Sequence, residues 1–248
     1  DDLILTDKLA AQVELLDTHP TIDIVYSSFR CFYSDRCDLY PPRWLRPLSG
    51  DPYRELVSGS IFPPHAALVR RDCVDAIGAF NEELVSAEDW DFWIRLARWG
   101  ASFLFQDKLL ALYRQHSTSK TKSLTRWRHA HVLVMENLRK LAESESELQH
   151  INWNYHASHN YVRWALALML DGKDAGASQA LDTAYSLDRD LGHSQDALAQ
   201  LIAEHALACD VNTKASRNAD GAQWLETLGS SLPPGYPSKP MMQQAYAW

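Results

Sequence analysis

The sequence has no excess of positive charge. Its 24 Lys and Arg against 32 Asp and Glu leave a formal net charge of −8, which argues against a nucleic-acid binder that works through bulk positive charge. No hydrophobic run approaches the roughly 18 residues that a membrane-spanning helix needs, and no signal peptide is visible. Cysteine is scarce. Cys31, Cys37, Cys73 and Cys209 are scattered without CxxC spacing, so a structural zinc site is not expected. A Cys31–Cys37 disulfide stays open, with reduced thiols in a cytosolic enzyme as the default. There is no glycine-rich phosphate loop and no Gly-x-Ser-x-Gly elbow. An initiating Met is missing too: the sequence opens directly on Asp1-Asp2-Leu3-Ile4-Leu5, as if cut rather than begun.

What is there suffices for one large domain or two modest ones with real cores, in 248 residues of which 46% are hydrophobic. Thr6 to Asp17 reads as a helix, with Thr6 as its N-cap, Leu9, Val13 and Leu16 on one face, and His19-Pro20 as its stop. Thr21 to Tyr33 is rich in β-branched and aromatic residues and predicts a strand buried on both faces towards its middle. Pro41, Pro42, Pro47, Gly50 and Pro52 make residues 34–52 a loop, with Trp44 as a packing plug. A short strand is expected at the end of Ile61–Val69, then a short helix over Arg71–Ile77 closed by Gly78. Ser102–Phe105 and Leu109–Tyr113 predict two more short strands, and Ser117–Ser123 a polar linker. Beyond Leu124 the character changes: Trp127–Ala142, Asn154–Leu170, Ala175–Leu187 and Gln195–Ala208 carry helical patterns. The piece from Tyr161 to Tyr185, with Asp171-Gly172-Lys173 at its turn, resembles a tetratricopeptide-like hairpin. The tail from Pro233 reads as extended.

One stretch organises the first half, Ser86 to Gly100. It predicts a helix with acidic residues crowding its first turn and Gly100 supplying a left-handed stop. At about 100° per residue Glu88, Asp91, Arg95 and Arg98 share a stripe, with Asp91–Arg95 at ion-pair spacing. Asp89 points roughly 140° from the centre of that stripe, onto the sector of Trp93 and Leu96. A carboxylate on the apolar side is costly unless something needs it there. Two roles stay open for it: an inward-facing base of raised pKa, or an aspartate that caps its own helix.

Three signatures, in order, resemble a family 2 glycosyltransferase of the GT-A fold. Asp1-Asp2 is similar to the end of that family's DxD-type metal motif. Gly78-Ala79-Phe80-Asn81-Glu82-Glu83-Leu84 followed by Glu88-Asp89-Trp90-Asp91 resembles its "GxF-(D/N)-E-x-L … E-D-x-D-x-W-x-R" block. Tyr113-Arg114-Gln115-His116 resembles its "YRxH". The resemblance covers residues 1–123 and implies the acceptor-side half of a partial GT-A α/β domain. An all-α region over 124–230 and an extended tail over 231–248 would follow. In that family a nucleotide-binding βαβ region precedes the Asp-Asp, and it is absent from this sequence; as ligands sit at the carboxyl ends of strands in open α/β sheets, most of the donor contacts are expected there. A fragment inactive by itself is the resulting expectation.

The resemblance also implies a chemistry. An inverting transfer from a nucleotide-sugar to a saccharide or lipid-linked acceptor would use a divalent cation, Mn²⁺ or Mg²⁺, against the departing diphosphate. Asp2, with Asp1 behind it, would touch that ion; His116 would reach the metal or the diphosphate, or else be structural; Arg114 would pair with phosphate oxygens. Asp89 would be the general base and Glu88 would orient the loop or the acceptor. A cytoplasmic place in polysaccharide or cell-envelope synthesis, peripheral at the inner membrane face, is implied at family level alone. The pairs His129/His131 and His156/His159 have metal-compatible spacing, but no acidic or cysteine partner completes a set, so they read as surface helix residues. Two rivals are a glycoside hydrolase and a non-catalytic helical-repeat module binding a protein partner. Against the first, a hydrolase's carboxylates must face each other about 5 to 9.5 Å apart, whereas adjacent Glu88 and Asp89 diverge on a helix.

Overall fold

β-Branched and aromatic residues crowd Ile24–Tyr33, and this stretch forms a ten-residue strand, β2, whose first four residues are all buried. In the computed structural model, which describes residues 2–33, 39, 45, 47–48, 51–115, 123–145, 148 and 150–192, β2 is an inner strand of a four-stranded mixed sheet. The others are β1 (Leu3–Ile4), β3 (Ala67–Val69) and β4 (Phe103–Gln115), in the order β1-β4-β2-β3. β4 runs parallel to β2, while β1 pairs antiparallel with β4 and β3 antiparallel with β2. Sequence readings at Asp1, Cys37, Trp44, His116, Cys209, 117–122, 195–208 and 231–248 lie outside the described residues.

The two strands expected over 102–113 are one. Gln106-Asp107-Lys108 looks like a turn in sequence, but the ladder passes through it: Ser27 pairs with Gln106 and Ser28 with Leu109, so Asp107 and Lys108 bulge out and pairing resumes. A bulge of this kind twists a strand without ending it. β1 extends the sheet by pairing Leu3 with Leu112 and Ile4 with Ala111.

The helices of this first unit, residues 1–120, are α1 (Lys8–Thr18), α2 (Pro52–Val57), α3 (Arg71–Ile77) and α4 (Glu88–Trp99). α1 corrects an expectation. Leu9 and Val13 are exposed, and the buried residues are Lys8, Gln12 and Leu16. The reason is polar: Lys8 Nζ donates to Gln12 Oε1 at 2.6 Å and to the Ala67 carbonyl at 2.9 Å, and Gln12 Nε2 donates to the Ala66 carbonyl at 2.9 Å. Buried polar groups are tolerated when each finds a partner. Thr6 does not cap the helix either; Asp7 occupies the N-cap position and makes no side-chain cap. α2 carries a signal the sequence reading passed over: Asp51 accepts from the backbone N–H of Tyr53 at 2.9 Å, and Pro52 opens the helix. The core between sheet and α4 is aromatic, with Tyr26 stacked on Phe62 at 4.2 Å and Phe62 against Trp93 at 4.8 Å.

The second unit, residues 121–248, is helical where described: α5 (Leu124–Ser144), α6 (Trp153–Leu170), α7 (Asp174–Leu187) and a 3-10 turn at Arg189–Gly192. α5 packs on α6 and α6 on α7. Ala165, Ala177, Ala180 and Ala184 let α6 and α7 approach closely around Leu166 and Leu181. His131 and His159 correct another expectation, for both are buried. Each Nδ1 lies 2.8 Å from the carbonyl four residues back, Trp127 and Tyr155 respectively. Burial, then the neighbouring Arg128 charge, pushes the His131 imidazole down to about 3. No helix among the described residues is long and apolar enough to cross a membrane.

Candidate functional site

α4 is built as its sequence implies. Its first turn holds Glu88, Asp89 and Asp91, and Gly100 stops it at φ 97°, a left-handed conformation that glycine adopts without steric cost. Arg95 Nε donates to Asp91 Oδ2 at 2.8 Å, the expected ion pair. The same guanidinium reaches further, to the carbonyls of Ile77 at 3.0 Å and Ala79 at 2.8 Å. It thereby ties α4 to the end of α3, where Gly78 turns the chain at φ 81°. Trp90 is 1% exposed and its Nε1 donates to the Leu56 carbonyl at 2.7 Å, fixing α2 against α4.

The helix starts from a strained point. Ala87, 5% exposed, sits at φ 62°, the one non-glycine residue with positive φ among those described. Left-handed backbone costs an alanine about 1–2 kcal/mol, and such outliers gather at functional sites. Ala87 launches Glu88 and Asp89, both half-buried. Asp89 Oδ1 accepts from the Trp90 backbone N–H at 2.7 Å, a bond within its own helix, whose N-cap position is Ala87 and carries no side-chain cap. The neighbouring core residue one turn on is Trp93, 2% exposed.

A second cluster forms around Asp2. Pairing of β1 with β4 sets this residue beside Arg114, whose backbone N–H donates to Asp2 Oδ1 at 2.7 Å across 112 positions of sequence. On the other side His65 Nδ1 lies 3.2 Å from Asp2 Oδ2. Burial raises the Asp2 carboxyl, but the His65 contact and the Arg114 amide outweigh it and hold the group below its usual value. The Arg114 guanidinium lies over the Phe32 ring, 4.6 Å from its centroid. Cys31 is a buried free thiol, pushed up to about 12 by burial and by the charge of Asp2.

Two of the expected residues, Asp2 and Arg114, are thus brought together. Sequence reasoning missed His65: Pro63-Pro64-His65 carries no pattern that marks it, and its place follows only from the 3-10 turn Pro64–Ala66 that packs against β1 and β4. Among the described residues no three His, Cys, Asp or Glu side chains gather as a metal-binding group. Asp2 alone still suits a hard cation, since Mg²⁺ is commonly held by one or two carboxylates with waters and substrate phosphates completing its shell. Neither a protein-family model nor a curated protein matches this chain.

Proposed function

We propose that the chain carries part of a nucleotide-sugar-dependent glycosyltransferase site of the GT-A kind, acting by inversion on a saccharide or lipid-linked acceptor. One observation carries the reading most: the Asp2 carboxylate and the Arg114 backbone, from two separate sequence signatures, meet in a 2.7 Å hydrogen bond. A divalent cation, Mn²⁺ or Mg²⁺, would supply neutralisation of the diphosphate charge that grows as the glycosidic bond breaks. Asp2, its carboxyl held below its usual value by the His65 contact and the Arg114 amide against the opposing effect of burial, would hold that cation.

Asp89 takes the proton from the acceptor hydroxyl. It is half-buried at the start of α4, where the left-handed Ala87 launches it. Glu88 beside it orients the acceptor. By the resemblance of its Tyr-Arg-x-His motif, His116, outside the described residues, would serve the diphosphate with Arg114. The helices α5, α6 and α7 form a tetratricopeptide-like appendage, supported by their successive packing, and offer a surface for a protein partner.

The test is release of nucleoside diphosphate from a panel of nucleotide-sugars with Mn²⁺ or Mg²⁺ present, by the chain joined to the nucleotide-binding βαβ region that the family resemblance implies. The reading predicts release that chelation of the metal abolishes. Metal-independent hydrolysis of a simple glycoside, with no nucleotide-sugar consumed, would favour the hydrolase instead.

A further inference from the structure

His65 has no place in the chemistry above, yet its surroundings are among the most constrained in the first unit. A carboxylate held ionised can only accept, so the hydrogen of the contact sits on His65 Nδ1 and the imidazole donates to Asp2 Oδ2. The other ring nitrogen, Nε2, is buried and has no hydrogen-bond partner. Leaving a buried polar atom unsatisfied costs about 1–3 kcal/mol.

The ring is locked on every side. It stacks on Tyr113 with centroids 5.8 Å apart and planes 20° from parallel, and meets Phe29 edge-on at 6.5 Å. Its turn is held from below by side chains of two other elements. Gln12 and Ser27 donate to the Ala66 carbonyl, at 2.9 and 3.3 Å, and Lys8 to the Ala67 carbonyl at 2.9 Å. This explains why α1 turns polar residues inward: they fix the backbone that presents His65.

We infer that His65 is a positioning residue that clamps the Asp2 carboxylate, setting its free lone pairs towards a divalent cation. An ionised carboxylate has about four acceptor sites. The Arg114 amide takes one on Oδ1 and His65 one on Oδ2, so among the described residues one on each oxygen remains, on a side chain that is 29% exposed. His65 does not itself bind that cation. Its Nδ1 is spent on Asp2, and Nε2 lies on the far side of the ring, too far for one ion to reach both. The inference rests on the metal-binding part of the proposed function. Hydrogen-bond partners behind metal ligands are worth about 10- to 100-fold in metal affinity.

The test uses the full chain and Mn²⁺ alone, with binding read from the relaxation of water protons. His65→Phe keeps the stack on Tyr113 and removes the donor; His65→Asn keeps a donor near the position of Nδ1. Thermal unfolding confirms that both variants fold. His65→Phe is expected to weaken Mn²⁺ binding about tenfold or more and His65→Asn to restore most of it. Equal binding by all three proteins overturns the clamp and leaves the transferase reading standing. No binding by any of them removes the metal reading and the clamp together. Binding that follows the expected pattern, with no nucleotide-sugar consumed even when the chain is joined to a nucleotide-binding βαβ region, keeps the clamp and removes the transferase.

Discussion

Replacing Arg95 with Met tests how α4 is held in place. The substitution keeps the aliphatic stem and removes the guanidinium, which bonds Asp91 Oδ2 and the carbonyls of Ile77 and Ala79. The ion pair is partly exposed, with Arg95 26% and Asp91 17% accessible, so it is worth about 0.5 kcal/mol. The bond to the Ile77 carbonyl is partly buried, and a hydrogen bond to a charged donor there contributes about 1.5–2 kcal/mol. The Ala79 carbonyl is open to water, which replaces most of what is lost. Arg95→Met should therefore cost about 2–3 kcal/mol, whereas Asp91→Ala should cost about 0.5 kcal/mol. Native-state hydrogen exchange at the α4 amides reads this unit separately from the second. Exchange should quicken about 30- to 150-fold in Arg95→Met and about twofold in Asp91→Ala. Equal effects in the two variants would refute the carbonyl clamp and reduce Arg95 to an ion pair.

Three further outcomes follow from the same structure. Ala87→Val places a β-branched residue at φ 62° and should destabilise the first unit by about 2 kcal/mol, seen as a lower urea midpoint. Gly176→Ala should stabilise α7 by about 0.5–1 kcal/mol, because the added methyl meets only Leu168 side-chain carbons at 3.6 and 3.8 Å; a lower Tm would contradict this. His131 is neutral when folded, with its imidazole lowered to about 3, and titrates near 6.5 when unfolded. The unfolded chain therefore binds the extra proton between those values. Stability is full above pH 6.5 and falls on acidification, by up to about 1.4 kcal/mol per pH unit. His131→Gln should flatten that slope in the second unit's urea midpoint between pH 6.5 and 4.

Local rules made the region around α4 legible in the sequence. Acidic residues at its start, the Asp91–Arg95 spacing and the stops at Gly78 and Gly100 each act within a few residues of themselves, and each appears where expected. The helices α5, α6 and α7 were legible for the same reason, since their periodicity is local. What escaped depends on distant partners. Lys8 and Gln12 look like the solvent side of α1 until the Ala66 and Ala67 carbonyls are brought to them. Gln106-Asp107-Lys108 looks like a turn until β2 supplies a ladder for the strand to continue along. Asp2 was marked by resemblance, but His65, 63 positions away in sequence, enters only through the contact of its turn with β1 and β4. The burial of His131 and His159 was hidden likewise, because each ring satisfies itself on its own helix and so needs no acidic or cysteine partner.

The central claim is that Asp89 takes a proton during transfer from a nucleotide-sugar, and the most direct measurement is the rate of nucleoside diphosphate release, with Mn²⁺ and acceptor, by the chain joined to a nucleotide-binding βαβ region and by its Asp89→Asn variant. The account predicts that Asp89→Asn, which keeps an acceptor for the Trp90 N–H but cannot take a proton, folds normally and loses release by about 100-fold or more. Release unchanged in a folded Asp89→Asn would contradict it and leave that carboxylate a structural acceptor for the Trp90 N–H.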